Sequence, residues 1–224
     1  MPIIYLLRHA QSVANVKGIL AGQDDLVELS KEGFNQAQAL IPYLKSINFS
    51  QVYSSPLTRC IQTITPFMSK NPDLKFCVDE RLIEMNYGDW SGKKLTKLSK
   101  DKKWRIVQTK PSTFTFPGGE SFKSMRKRVE LMLADLTGRK GPTLVVTHGD
   151  IIKMMITSCL GLPIDQFQSF VTEPASITVI NLEKSKSTLL QSNYKLTNKG
   201  VKRFKNNQIG GGDTLTSLRQ WWWK

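Results

Sequence analysis

An α/β layered fold is what this chain predicts, on three observations. Short apolar runs alternate with stretches of helical periodicity along its length. Two of those runs, Ile3-Ile4-Tyr5-Leu6-Leu7 and Leu144-Val145-Val146, break into polar clusters that carry the only two histidines of the sequence, His9 and His148. An apolar run that stops in polar residues reads as a buried strand delivering side chains to its end, where open α/β sheets place their ligand sites. The third observation is length: 224 residues suit one such domain with a substantial core.

Taken in order, residues 2–8 predict a buried first strand. Ser30 is a candidate N-cap for a helix whose apolar face is Phe34, Ala37, Ile41 and Leu44. A short strand follows at 51–54, then a helix from Leu57 to about Met68 in which Pro66 marks a bend or an early end. Another short strand falls at 75–78. Gly88, Gly92, Pro117, Gly118 and Gly119 punctuate a long middle region, expected to hold one basic helix and extended loops. Phe122, Met125, Val129, Met132, Leu133 and Leu136 recur at helical spacing, and the 143–147 strand follows Gly141-Pro142. An apolar helix is predicted at 151–160, and two strands, 176–182 and 188–192, form a hairpin over the 183–187 turn.

One domain over residues 1–194 is therefore expected, followed by a basic, flexible tail over 195–224 with a Gly210-Gly211-Gly212 hinge and a Trp221-Trp222-Trp223-Lys224 end. Those indoles suit peripheral contact with a membrane surface or a partner, or folding back onto the domain. No apolar stretch approaches the ~18 residues of a membrane span, so no integral membrane segment is expected. Cys60, Cys77 and Cys159 are odd in number and widely spaced, which fits reduced thiols and a cytoplasmic home. The sequence leaves the oligomeric state open.

Net charge is +14, so the surface attracts anions. Lys93, Lys94, Lys97, Lys100, Lys102, Lys103, Arg105 and Lys110 crowd one segment opposed only by Asp101. This segment suits a solvated helix face, or a field that concentrates a polyanionic phosphorylated substrate. Nucleic acid is not the expected partner, because no aromatic residues interleave with these cations in a stacking pattern.

Arg8, His9, Arg59 and His148 make a set of cationic groups suited to phosphate. A guanidinium matches two phosphate oxygens with a planar fork, and a neutral imidazole can attack phosphorus. Adjacent side chains of a strand point to opposite faces, so Arg8 and His9 reach one pocket only if the strand ends at about Arg8. A leaving alkoxide needs a proton, and Glu84, between Ile83 and Met85, is the candidate donor if burial raises its pKa. The other reading of Glu84 is a surface carboxylate paired with Arg81.

Six motifs in order resemble those of the histidine phosphatase superfamily, the phosphoglycerate-mutase-like proteins. They are Arg8-His9-Ala10-Gln11-Ser12-x-x-Asn15, Leu29-Ser30-x-x-Gly33-x-x-Gln36-Ala37, Tyr53-Ser54-Ser55-Pro56-Leu57-x-Arg59-x-x-Gln62-Thr63, Glu84-x-x-x-Gly88-x-Trp90-x-Gly92, Pro117-Gly118-Gly119-Glu120-Ser121 and Val146-Thr147-His148-Gly149. The resemblance spans roughly residues 3–182. It implies a three-layer α/β/α sandwich around a mostly parallel mixed sheet, with catalytic His9, Glu84, His148, Arg8 and Arg59. It places Arg8, Asn15, Gln23, Arg59, His148 and Gly149 at the substrate, with no metal and no cofactor. The implied activity is hydrolysis of phosphomonoesters of small metabolites through phosphohistidine on His9. The alternatives are a cofactor-dependent phosphoglycerate mutase and a weakly active phospho-ligand-binding relative. The chain departs from the family pattern at Ala10, where glycine is usual; a methyl there is unfavourable if φ must be positive.

Overall fold

The computed structural model describes residues 2–183 and 187–196, together with the backbone of 208–209 and 213–214. Strand β1 (Ile3–Arg8) sends alternate side chains into two separate cores. Ile4 and Leu6 join one apolar cluster, whereas Leu7 joins the other with Ile3 and Tyr5 at its margin, as the two-residue period of a strand requires.

Around it, β2 (Gln51–Ser54), β3 (Phe76–Val78), β4 (Thr143–Thr147), β5 (Ser176–Asn181) and β6 (Thr188–Lys195) complete a sheet of order β3-β2-β4-β1-β5-β6. The strands from β3 to β1 run parallel, and β5 and β6 are each antiparallel to the strand before them in that order. The helices are α1 (Val13–Lys17), α2 (Lys31–Lys45), α3 (Thr58–Met68), α4 (Leu95–Leu98), α5 (Lys102–Thr109), α6 (Phe122–Thr137) and α7 (Gly149–Cys159). Leu40 and Leu44 of α2 and Cys60, Ile64 and Phe67 of α3 share a cluster with Leu7, Val52 and Val146. Met125 and Val129 of α6 and Ile151 and Met155 of α7 share the other with Ile4, Leu6 and Val145. Helices thus cover both faces of a mostly parallel mixed sheet, the three-layer α/β/α arrangement.

Register positions the chemistry. Arg8 stands opposite Thr147, and Ser54 opposite Val146. Carried one residue further, this register sets His9 beside His148 and Ser55 beside Thr147, so Ser55, His148 and His9 all lie at the C-terminal edge of the sheet. The ladder extends one step further, with His9 N donating to Thr147 O and Ser55 N to Val146 O, both at 2.9 Å.

Local expectations are corrected at four places. Ser30 caps α2 as read, its hydroxyl accepting from Gly33 N, but Phe34 is 46% exposed and the buried face is Gly33, Ala37, Leu40, Ile41 and Leu44. Helix α3 runs past Pro66 to Met68, so the proline does not end it early; only two helical residues follow it and few hydrogen bonds are lost. The basic middle segment forms two short helices, α4 and α5, where one was expected. The later strands pair as the predicted hairpin, with β6 running on to Lys195. Beyond Leu196, the antiparallel pair β7 (Gln208–Ile209) and β8 (Asp213–Thr214) is the described part of the tail, and Trp221 to Trp223 lie outside the described residues. Among the described residues, no helix is long and apolar enough to cross a membrane.

Candidate active site

His9 sits one residue past the end of β1, on a turn tied to two helices. Ala10 N donates to Thr63 Oγ1 of α3 and Gln11 N to Gln36 Oε1 of α2, both at 2.9 Å, and Ser30 N donates to Gln11 O. Ala10 is buried and its φ is not positive, so the methyl costs no backbone strain. The His9 ring donates from Nδ1 to Ala10 O at 2.8 Å. A carbonyl only accepts, so Nδ1 holds the hydrogen and Nε2 carries the lone pair. Burial, then the Arg59 and Arg8 charges, hold the imidazole pKa well below its ordinary value. His9 is neutral near pH 7, and burial contributes more to this than the arginines that sequence reasoning relied on.

Both guanidiniums are buried and anchored by main-chain oxygens. Arg8 donates from one terminal nitrogen to Thr172 O at 2.6 Å. Arg59, in the first turn of α3, donates to Asp24 O at 2.9 Å and Gly22 O at 2.6 Å. The 22–25 loop is pinned in turn by Asp25, whose carboxylate accepts from Thr58 N and Thr58 Oγ1. Main-chain oxygens hold both guanidiniums at the cleft, where their planar forks suit a bound anion.

His148 is buried beside His9, their ring centroids 5.3 Å apart. Its Nε2 bonds Ser55 Oγ at 2.7 Å, and Cys60 Sγ lies 3.5 Å from the same atom. Burial first, then Arg59, lowers the His148 pKa well below its ordinary value. Burial pushes the Cys60 thiol up to about 12, so it stays protonated. Ser55 was not among the residues read from sequence as functional. Its place in the Ser-Ser-Pro turn was the available signal, but only the register of β2 against β4 brings it to His148.

Glu84 is 8% exposed, and its Oε1 accepts from Met85 N at 2.9 Å. Burial, followed by the nearby Asp150 charge, pushes its carboxyl up to about 7. Arg81 is engaged elsewhere, with Asp79 and Asp135, which removes the surface ion-pair reading. Asp150, in the first turn of α7, accepts from Tyr87 Oη at 2.8 Å and lies 3.6 Å from buried Lys153 Nζ.

Arg128 of α6 holds the Glu84 segment by its main chain. It donates to Arg81 O, Ile83 O and Glu84 O at 2.8, 2.7 and 3.2 Å and pairs with Glu120 at 2.7 Å. Nothing in the local pattern distinguished it from Arg126 or Lys127. The Pro117-Gly118-Gly119 turn packs against the same segment: a Cβ on Gly88, whose φ is +51°, would stand 2.1 Å from Pro117 O. That motif shapes the loop that carries Glu84, and Glu120 Oε1 accepts from Asn86 N.

Arg8, His9, Asn15, Arg59, Glu84 and Gly149 all line one cleft at this sheet edge. Two sequence-read residues stand apart from its lining. Gln23 Nε2 donates to Glu84 O at 2.8 Å, and His148 lies behind His9 against Ser55. The N-terminus of α7 opens on the cleft through Gly149 and Asp150. A neutral imidazole, two buried arginines, a helix N-terminus and a carboxyl with a pKa near 7 on one cleft define a phosphoryl-transfer enzyme of the α/β class.

The chain belongs to the histidine phosphatase superfamily (branch 1), whose sequence profile matches residues 4–195. It is 30% identical over 194 residues to phosphoserine phosphatase 1 of Hydrogenobacter thermophilus, covering 85% of this chain and 91% of that one. It is 32% identical over 184 residues to the 2,3-bisphosphoglycerate-dependent phosphoglycerate mutase of Thermoplasma acidophilum, covering 82% and 88%. Among solved structures, mycobacterial glucosyl-3-phosphoglycerate phosphatase complexed with VO3 matches with a TM-score of 0.77 at 28% identity, covering 85% of this chain and 98% of that one. A mutant phosphoserine phosphatase of Entamoeba histolytica in complex with phosphoserine matches with a TM-score of 0.77 at 25% identity, covering 86% and 97%. The chain is a phosphoric monoester hydrolase of the histidine phosphatase type.

Proposed function

We propose that residues 1–194 form a catalytic domain that hydrolyses phosphomonoesters of small metabolites in two steps through phosphohistidine on His9. The observation that carries this reading is the His9 ring itself: Nδ1 tied to Ala10 O, the ring neutral, and the whole group on the cleft between two arginines. In the first step Nε2 attacks phosphorus in line, a P–N bond forms and the P–O bond to the alcohol breaks. Glu84 gives its proton to the departing oxygen. In the second step the Glu84 carboxylate takes a proton from water as that water attacks phosphorus, and the P–N bond breaks to release inorganic phosphate. A carboxyl with a pKa of about 7 serves both directions near neutral pH.

Arg8 and Arg59 stabilise the equatorial oxygens in both transition states. Gly149 adds a main-chain N–H from the start of α7, and Asn15 reaches the same oxygens from α1. His148 binds the phosphoryl group from beside the His9 ring, exchanging its Ser55 bond for an oxygen. Gln23 acts on the substrate through the Glu84 main chain that it holds.

The test is turnover of a generic aryl phosphate by the protein and by His9→Ala. The variant is expected to lose activity by about 10³-fold or more; equal rates in the two proteins contradict the proposal. The similarity to a phosphoglycerate mutase favours a second reading, in which phospho-His9 returns its phosphoryl group to another hydroxyl. Release of stoichiometric inorganic phosphate in the presence of an acceptor alcohol excludes it.

A further inference from the structure

The outer wall of the cleft has a chemistry of its own, and from it we propose that the preferred leaving group is an uncharged alcohol with an aromatic or alkyl body, not one carrying a carboxylate or a second phosphate. The proposal rests on the phosphomonoester reading above and specifies its substrate.

The basic segment 93–110 contributes Leu95, Trp104, Val107 and Gln108 to the cleft, and all four are uncharged. Trp104, Val107 and Gln108 are spaced i, i+3 and i+4 on α5, which puts them on one face of that helix. Lys102, Lys103 and Arg105 of the same helix are exposed, as are Lys93, Lys94, Lys97, Lys100 and Lys110. None of the eight cations lines the cleft. Of the two readings of this segment, these positions fit the solvated face: the eight cations lie outside the cleft.

Leu20 and Phe116 continue the apolar wall. Trp104 stacks on buried Trp90, with centroids 6.1 Å apart and planes at 21°, and Trp90 meets Phe116 edge-on at 5.3 Å. Trp104 is thus the half-buried outer member of a connected aromatic cluster that fixes its ring on the cleft, suited to offset contact with a ring or an alkyl chain. Among the described residues, the only cations on the cleft are Arg8 and Arg59, both at the inner end that takes the phosphate. Lys153 is buried behind it, donating to Gln168 Oε1 at 2.7 Å and paired with Asp150. A second anion against this wall would lose its hydration without gaining a cation, and would face the Asp150 carboxylate. Gln108 offers an amide to neutral polar groups on the leaving alcohol.

Substrates with primary alcohols as leaving groups separate recognition from leaving-group reactivity. We would measure kcat/KM for 2-phenylethyl phosphate, for the phosphate ester of 3-hydroxypropanoate and for O-phosphoserine. The expected order puts the phenylethyl ester about tenfold or more above both charged esters. In Trp104→Ala that preference collapses through a raised KM for the phenylethyl ester. In Gln108→Lys, which places a cation on the wall, the 3-hydroxypropanoate ester gains relative to it. Equal or better turnover of either charged ester by the unaltered protein overturns the proposal. So does a preference that neither variant changes. Calorimetric titration with 3-phenylpropylphosphonate and 3-carboxypropylphosphonate, neither cleavable, decides the same point without turnover. If no ester is hydrolysed, the functional reading fails, while tighter binding of the phenyl compound supports the wall assignment and the reverse order overturns it.

Discussion

The inner end and the outer wall of the same cleft are built in opposite ways. At the inner end, parallel strands β2, β4 and β1 deliver Ser55, His148 and His9 by register alone, and buried arginines rest on main-chain carbonyls. At the outer wall, Trp104 of α5 stacks on Trp90, which also meets Phe114 and Phe116, and Leu95 of α4 joins the lining. The inner end fixes what reaction occurs, because its groups hold protons and charges at set places. The outer wall selects what is brought to it, and its own charges face away. A strongly basic segment can therefore sit beside a phosphate site without contributing a cation to it.

The largest effect separating the two regions is expected for Glu84→Gln, which lowers kcat by about 10² to 10⁴ and removes the alkaline limb of its pH profile near pH 7. The same substitution has a stability signature of definite sign. The folded-state pKa of Glu84 is raised from 4.5 to about 7, so its contribution to stability is full below the unfolded value. That contribution falls as pH rises through 7. Glu84→Gln should therefore raise the thermal midpoint relative to the parent more at pH 8 than at pH 5. An equal shift at both values would mean that Glu84 is not held protonated by burial.

Arg128→Ala comes next. It removes the donor to Arg81 O and Ile83 O and one of the two donors to Glu84 O and to the Glu120 carboxylate, at roughly 1–3 kcal/mol of stability. By displacing Glu84 it should cost up to about 10² in kcat. Arg128→Lys, lacking the planar fork, is expected to recover only part. Stopped-flow kinetics with chemical denaturation separates the two losses; a stability loss with unchanged kcat would free the Glu84 position from Arg128.

The smallest effect is expected on the outer face. Lys100→Gln, Lys102→Gln and Lys103→Gln combined should change kcat/KM by no more than about threefold at physiological salt, since exposed charges beyond about 8 Å are largely screened. A larger, salt-sensitive fall would bring these lysines back into substrate capture.

The inner end was legible because two independent rules act on it. Strand-end placement singled out His9 and His148, and phosphate chemistry singled out Arg8, Arg59 and Glu84 among many polar residues. What remained hidden depends on pairing across the sheet or between layers. Ser55 is recognised only by the β2–β4 register, and Arg128 only by the approach of α6 to the Glu84 loop. Gln23 was read as a pocket residue, yet it faces the Glu84 main chain. The exposed Phe34 shows the limit of periodicity: spacing gave the helix but centred its buried stripe wrongly, since Gly33 must approach Gln11 O within 2.0 Å of where a Cβ would stand. The outer wall was read by charge, the property that its side chains turn to solvent, and its apolar face was missed for that reason.

The central claim is the covalent step, and one measurement addresses it directly. The protein is quenched in alkali during turnover of a phosphomonoester, where phosphohistidine survives, and the phosphoryl group is located by tandem mass spectrometry. It is expected on His9. A phosphoryl group on His148, or steady turnover with neither histidine modified, would contradict the account.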